Sequence, residues 1–287
     1  MEASDIIKKV QRIEIKTRGL SRHIFAGQYH SAFKGRGIAF SEVREYQYGD
    51  DIRSIDWNVT ARFNHPYVKI FEEERELTVM LLVDVSGSGR FGTSRVYKRD
   101  MMTEIAAVLS FSAIFNNDKI GVIFFSDTVE KFIPPQKGRK HILRIIRELL
   151  DFTPQSLNTN LNEPLRYLTN AIKKRCTAFI ISDFIAPSFE EALRIAANKH
   201  DVVALKIFDP VERSIPDIGM VKVSDAETGQ ERWIDTSSGN ARKEYEKWWE
   251  EHLVMIQNIF RRCGVDSTDM STGEDYVKPL LRLFKRR

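Results

Sequence analysis

Leu77-Thr78-Val79-Met80-Leu81-Leu82-Val83-Asp84-Val85-Ser86-Gly87-Ser88 is the stretch on which the reading of this chain turns. From Leu77 to Val83 it carries no charge and is rich in Leu and Val, the composition of a strand buried on both faces of a sheet. The run stops at a carboxylate. Beyond Asp84, hydroxyls stand two residues apart at Ser86 and Ser88, so both can face one point, and Gly87 and Gly89 let the backbone turn tightly. An apolar strand that ends in an acid and a hydroxyl-bearing loop places oxygen ligands at a sheet rim.

Downstream, short apolar runs alternate with helical patterns, as expected of a mostly parallel sheet flanked by helices. Met101, Met102, Ile105, Val108, Leu109, Ser112 and Ala113 recur at helical spacing between Ser94 and Asn116, with Ser94 as the expected cap. Lys119 to Phe125 reads as a second strand. Val129 to Ile133 reads as a third, turned antiparallel by a tight hairpin at Ser126 and Asp127 and stopped by Pro134 and Pro135. Helices are expected at Arg139 to Phe152, Leu161 to Lys174 and Ser188 to His200. Strands are expected at Thr177 to Ser182 and Val202 to Phe208, and a hairpin at Met220 to Val223 and Glu231 to Ile234 around Glu227 to Gln230. Gly239 to Arg262 spaces Tyr245, Trp248, Trp249, Leu253, Ile256, Ile259 and Phe260 by threes and fours, a long helix with a broad apolar stripe packed on the sheet. The expected class is α/β, with a six-stranded mostly parallel sheet, one antiparallel edge strand and helices on both faces.

Residues 1–75 read as an N-terminal appended region ahead of the main domain over 76–287. They open with a charged helix-like stretch from Ser4 to Arg22 and continue through a Gly- and Tyr-rich passage from Gly27 to Gly49. With 287 residues, 42% hydrophobic and 29% charged, the chain can bury a large core, which excludes intrinsic disorder as its main state. Lys and Arg number 44 against 40 acids, a net +4 that permits anionic partners without requiring them. Cys176 and Cys263 have no metal-ligand spacing and are too few for a disulfide framework, which fits a reducing, cytoplasmic setting. Lys8, Lys9, Arg12, Glu14, Lys16 and Arg18 interrupt any secretory core. The apolar runs fall far short of the roughly 20 residues that span a bilayer, so membrane association is expected only through partners.

A second strand also ends in an acid, Ile180-Ile181-Ser182-Asp183, and the loop between two expected helices carries Asn158-Thr159-Asn160. In open α/β sheets, sites form beyond the carboxyl ends of strands, where neighbouring strands send their connections to opposite faces. Taken singly, Asp84 reads as a strand-end carboxylate serving a helix N-terminus, and Ser86 or Ser88 as a turn cap. Taken together, Asp84, Ser86, Ser88, Thr159 and Asp183 form an all-oxygen set of the kind hard cations such as Mg²⁺ or Mn²⁺ select.

This constellation resembles the metal-ion-dependent adhesion site of von Willebrand factor A domains. The resemblance implies that Ser86, Ser88 and Thr159 coordinate the ion directly, that Asp84 and Asp183 act mainly through water and by holding the hydroxyls, and that a partner's carboxylate fills an open position. The glycine pair usual before the threonine is replaced here by Leu157 and Asn158. A second signature lies upstream: Arg44-Glu45-Tyr46, Gly49-Asp50-Asp51, Arg53, Ile55-Asp56-Trp57 and Ala61-Arg62, a GDDxRxIDW pattern, resemble bacterial domain-of-unknown-function family fifty-eight. That resemblance covers nearly the whole chain. It implies a cytoplasmic von Willebrand A-like protein that acts with a MoxR-type AAA+ ATPase on client proteins in a chaperone-like system. Physically, the alternating charges of Asp50, Asp51, Arg53, Asp56 and Arg62 read as an ion-pair network pinning the appendage to the sheet, with Trp57 as an apolar anchor, or else as a partner or regulatory surface. Glu72, Glu73, Glu74 and Glu76 read as a solvated strand edge.

The expectation is therefore a non-enzymatic, Mg²⁺-dependent protein-interaction module. A haloacid-dehalogenase-type phosphatase needs a second Asp two residues after the first, and that position is Ser86, which leaves no proton shuttle. No Gly-x-Ser-x-Gly elbow surrounds Ser86 or Ser88, and no Walker-type loop is present. Nucleic-acid binding is the competing class, carried by a pI near 8.9 and the basic end Lys278, Arg282, Lys285, Arg286 and Arg287. A terminal cluster of this kind reads first as solvated, so no nucleic acid is expected.

Overall fold

The computed structural model describes residues 39–72, 77–93, 96–227 and 229–287. The expected helix over Ser4 to Arg22, the Ser94 cap, and Glu73, Glu74 and Glu76 lie outside the described residues. The chain divides into two compact units, one within Lys34–Leu77 and the other carrying Thr78–Arg287.

In the small unit, β1 (Ala39–Glu45) pairs antiparallel with β2 (Tyr67–Glu72), and α1 (Trp57–Phe63) lies between them in sequence. Its acids work locally. Asp51 accepts from the Arg53 amide at the start of a short 3-10 turn, and Asp56 caps α1 by accepting from the Asn58 and Val59 amides. Arg44 pairs with Asp50 at 2.8 Å and Lys69 with Asp56 at 3.4 Å. Asp50, Asp51 and Asp56 thus cap and brace the small unit itself. Trp57, expected to be an anchor, is 68% exposed.

The large unit is built on a six-stranded sheet. Its strands are β3 (Thr78–Asp84), β4 (Lys119–Phe125), β5 (Val129–Gln136), β6 (Thr177–Ser182), β7 (Asp201–Phe208) and, past a separate hairpin of β8 (Met220–Ser224) and β9 (Glu231–Asp235), β10 (Asp266–Ser271). The order across the sheet is β10-β7-β6-β3-β4-β5, parallel except for the β4–β5 pair. The expected strands are found because central parallel strands are covered on both faces: β3, β4 and β6 are buried almost throughout. Two features depart from the sequence reading. Pro134 and Pro135 do not stop β5, which runs on to Gln136, because an edge strand can spend its unpaired side on residues without an N–H. The sixth strand is the polar Asp266–Ser271, read from the sequence as no strand at all, since an edge beside β7 does not require an apolar run.

Helices cover both faces. Between the strands run α2 (Lys98–Phe115), α3 (Arg139–Asp151), α4 (Asn162–Ala171), α5 (Glu190–Lys199), the short α6 (Pro210–Arg213) and α7 (Gly239–Cys263), and α8 (Val277–Arg286) follows the last strand. On one face Met80, Leu82, Ile123, Phe125 and Ile180 pack with Leu161, Leu165 and Leu168, with Leu193 and Ala196 of α5, and with Ile256, Ile259 and Phe260 of α7. On the other face Phe152 meets Phe124 with ring centroids 5.1 Å apart, and Phe284 of α8 meets Phe179 edge-on at 6.4 Å. Each large apolar side chain buried in this way contributes about 1.5–3 kcal/mol. The aromatic stripe on α7 is only partly core, for Trp249 is buried while Trp248 is 47% exposed. No helix among the described residues is long and apolar enough to cross a membrane.

Candidate functional site

The connection after β3 leads to β4 on one side, while the connection after β6 leads to β7 on the other, so β3 and β6 part at a switch point. Val83 is level with Ile181, which brings Asp84 beside Ser182 at the strand ends. Ser182 Oγ donates to Asp84 Oδ2 at 2.6 Å, and the Ser86 amide donates to Asp84 Oδ1 at 3.0 Å. Asp84 is therefore a buried, hydrogen-bonded carboxylate rather than one lining an open crevice, with 3% of its surface exposed. Ser86 Oγ lies 3.1 Å from Ser88 Oγ, so the two hydroxyls converge as their spacing requires.

Asp183 follows β6 directly. Its Oδ1 accepts from the Ile185 amide at 3.2 Å, and its Oδ2 accepts from Lys98 Nζ at 2.8 Å. The next residue, Phe184, is held in the left-handed region at φ 59°, its amide bonded to Ser182 Oγ and its ring against Phe189 and Phe260. A non-glycine residue in this conformation stores local strain of the kind found at functional sites, and here it shapes the turn that carries Asp183.

Thr159 reaches the site on the loop before α4. That loop is pinned by Glu130, whose Oε1 accepts from Ser126 Oγ and from the Gln155 and Ser156 amides, and by the Asn160 amide bonding to Ser126 O. The Gly87 amide bonds to Leu157 O at 2.9 Å and so holds the two hydroxyl-bearing loops together. Thr159 Oγ1 is buried without a hydrogen bond of ordinary geometry. A buried hydroxyl left in that state costs free energy unless another group satisfies it.

The electrostatics are unbalanced in favour of anions. Burial, reinforced by the charge on Asp183, pushes the Asp84 carboxyl up to about 6. Burial also works against ionisation of Asp183, but the Lys98 ammonium overrides it and holds that carboxyl below its ordinary range. Lys98 is fully buried between Asp183 and Glu212 Oε1, the latter at 2.5 Å; these partners outweigh desolvation and raise the ammonium to about 12. Glu212 completes a capping box with Asp209, whose carboxylate ties Thr93 to Thr272. One ammonium thus serves both Asp183 and Glu212, while Asp84 stands close enough to Asp183 to feel its negative charge.

Asp84, Ser86, Ser88 and Asp183 lie together at one end of the sheet, with Ser88 near enough to bond to the Asp183 carboxyl, and Thr159 stands on the adjoining loop. The donor set is oxygen throughout, its carboxylates exceed its cations, and it includes the buried Thr159 hydroxyl, which has no well-formed hydrogen bond. That chemistry fits a hard divalent cation. Among the described residues no group of three or more His, Cys, Asp or Glu side chains is gathered to hold a metal, at this site or elsewhere, so the set depends on its hydroxyls. Sequence reasoning missed Lys98, Glu212 and Glu227. Lys98 sits in a charged Tyr-Lys-Arg-Asp stretch that reads as solvated, and Glu227 lies in a hairpin turn. Only the fold brings either to the strand ends. The basic C-terminus is partly spent on acids, for Arg287 pairs with Asp201 and, at 3.0 Å, with Asp266.

The sheet order, the switch point and the strand-end hydroxyl and carboxylate set give the chain the fold of a von Willebrand A-like domain. The chain belongs to the family described as "Protein of unknown function DUF58", which matches residues 42–254. An uncharacterized protein of Mycobacterium tuberculosis is 29% identical over 281 residues, covering 97% of this chain and 88% of its own length. YeaD of Bacillus subtilis, also uncharacterized, is 29% identical over 122 residues, 42% of this chain and 27% of that protein. Among solved structures, an aerotolerance-related membrane protein from Bacteroides fragilis has a TM-score of 0.51 at 14% identity, covering 73% of this chain and 97% of that one. This likeness bears on the fold alone. The SpRpn10 VWA domain has a TM-score of 0.41 at 11% identity, covering 74% and 95%.

Proposed function

We infer that the chain is a non-enzymatic interaction module that holds Mg²⁺ or Mn²⁺ at Asp84, Ser86, Ser88, Thr159 and Asp183 and receives a partner's carboxylate there. The observation that carries this reading is the buried Thr159 hydroxyl without a well-formed hydrogen bond, beside converging serine hydroxyls and a surplus of carboxylates. When bound, the ion supplies positive charge that a partner's anion completes. The chain's own residues do the rest. Asp84 orients the Ser86 loop through the Ser86 amide, Glu130 fixes the Thr159 loop, and Lys98 keeps Asp183 ionised and in place. A MoxR-type AAA+ ATPase acting on client proteins is the proposed partner, supported by the family resemblance of the GDDxRxIDW region.

Calorimetric titration with Mg²⁺ and pull-down with and without chelator test the reading. The wild type is expected to bind Mg²⁺ and to capture partners only without chelator, and Ser86→Ala to lose both. Partner capture that chelator and Ser86→Ala leave unchanged would contradict it.

A further inference from the structure

The β8–β9 hairpin is exposed along most of both strands, yet its tip reaches the candidate site. A Cβ placed on Gly87 would lie 2.1 Å from Ala226 O and 3.2 Å from Leu157 Cβ, so the tip backbone rests directly on the glycine between the two serines. Only glycine permits so close an approach. The next residue, Glu227, turns its carboxyl toward Thr159, near enough to draw on the Thr159 amide and hydroxyl, while Oγ1 keeps no well-formed hydrogen bond. The tip is stiffened from within: the Glu227 amide bonds to Asp225 Oδ1 at 2.9 Å, the Asp225 amide to Gln230 O at 2.8 Å, and the Gly229 amide to Asp225 O at 2.9 Å. Glu227 is half-buried. A ribbon with little packing along its length therefore holds one carboxylate against the hydroxyl set.

We propose that Glu227 is an internal ligand of this site. Its carboxylate takes the place open to a partner's carboxylate, so the hairpin tip must lift before a partner binds. The inference rests on the metal-latch reading. A tethered carboxylate competes at an effective concentration on the order of millimolar or higher. Removing it weakens the ion's hold by one ligand and frees the position for an external anion.

The test uses the full chain with Mn²⁺ and acetate as probes, read by electron paramagnetic resonance and by hydrogen exchange of the tip amides. For Glu227→Gln, Mn²⁺ affinity is expected to fall about tenfold and acetate affinity of the Mn²⁺-loaded protein to rise about tenfold. Mn²⁺ is expected to slow exchange of the tip amides in the wild type and not in the variant. Gly87→Ala, which pushes the tip away without touching the carboxylate, should reproduce the acetate effect. If Glu227→Gln matches the wild type in all three readouts while Ser86→Ala abolishes Mn²⁺ binding, the internal ligand is overturned and the latch reading stands. If Ser86→Ala binds Mn²⁺ like the wild type, the latch reading falls and takes this inference with it.

Discussion

Replacing Asp84 with Asn separates the cost of the buried charge from its use. Burial and the neighbouring Asp183 raise the Asp84 carboxyl from 3.8 to about 6 in the folded chain. Two pH units at about 1.36 kcal/mol each amount to about 3 kcal/mol. The sign follows from proton linkage: the folded state holds this proton more tightly than the unfolded state, so the wild type is most favoured below the unfolded value and loses stability as pH rises through about 6. Asn at this position carries no such dependence. Relative to the wild type, Asp84→Asn should therefore gain about 2 kcal/mol of this between pH 4 and pH 7 in the absence of divalent cations. Because the comparison is a difference across pH, the offset from rearranging the Ser182 hydroxyl, which now faces an amide, cancels. Urea denaturation of both proteins in chelator at several pH values measures it. With Mg²⁺ at pH 7 the wild type should recover stability and the variant should not. A stability difference that stays flat with pH, or equal stabilisation of both proteins by Mg²⁺, would refute the reasoning.

Lys98→Met should destabilise the chain by about 3–5 kcal/mol, because it leaves the buried Asp183 and the half-buried Glu212 without their ammonium. The loss should be larger at pH 8 than at pH 5, since the orphaned carboxyls can take up protons at the lower pH; chemical denaturation at the two values checks this. Asp56→Ala should remove the α1 cap and the Lys69 pair and so loosen that helix alone. The effect should appear as several-fold faster hydrogen exchange over Trp57–Phe63 and leave exchange over β3 and β6 unchanged.

The strands that frame the site were legible because their environment leaves one composition open to them. Covered on both faces, Thr78–Asp84, Lys119–Phe125 and Thr177–Ser182 must be apolar, and each run ends where the sheet rim meets polar loops. Where that constraint lapses, so does the signal. Asp266–Ser271 is a strand because β7 offers it a partner edge, and Pro134–Pro135 remain in β5 because its outer side needs no amides. Neither fact is written in local periodicity.

At the site, the oxygen-bearing residue types and their local spacing could be read from the chain unaided: Asp84, Ser86 and Ser88 on one turn, and Asp183 at the end of a second apolar run. Those follow from chain-local geometry, in which alternate residues face the same way and glycine permits the bend. Packing, and nothing shorter in range, buries Asp84, sets Lys98 from the start of α2 against Asp183, and delivers Glu227 on a hairpin far along the chain from Thr159. Charge in a low-dielectric interior is felt across space rather than along the chain, so the partners that set these ionisation states are fixed by which loops the sheet brings to one rim.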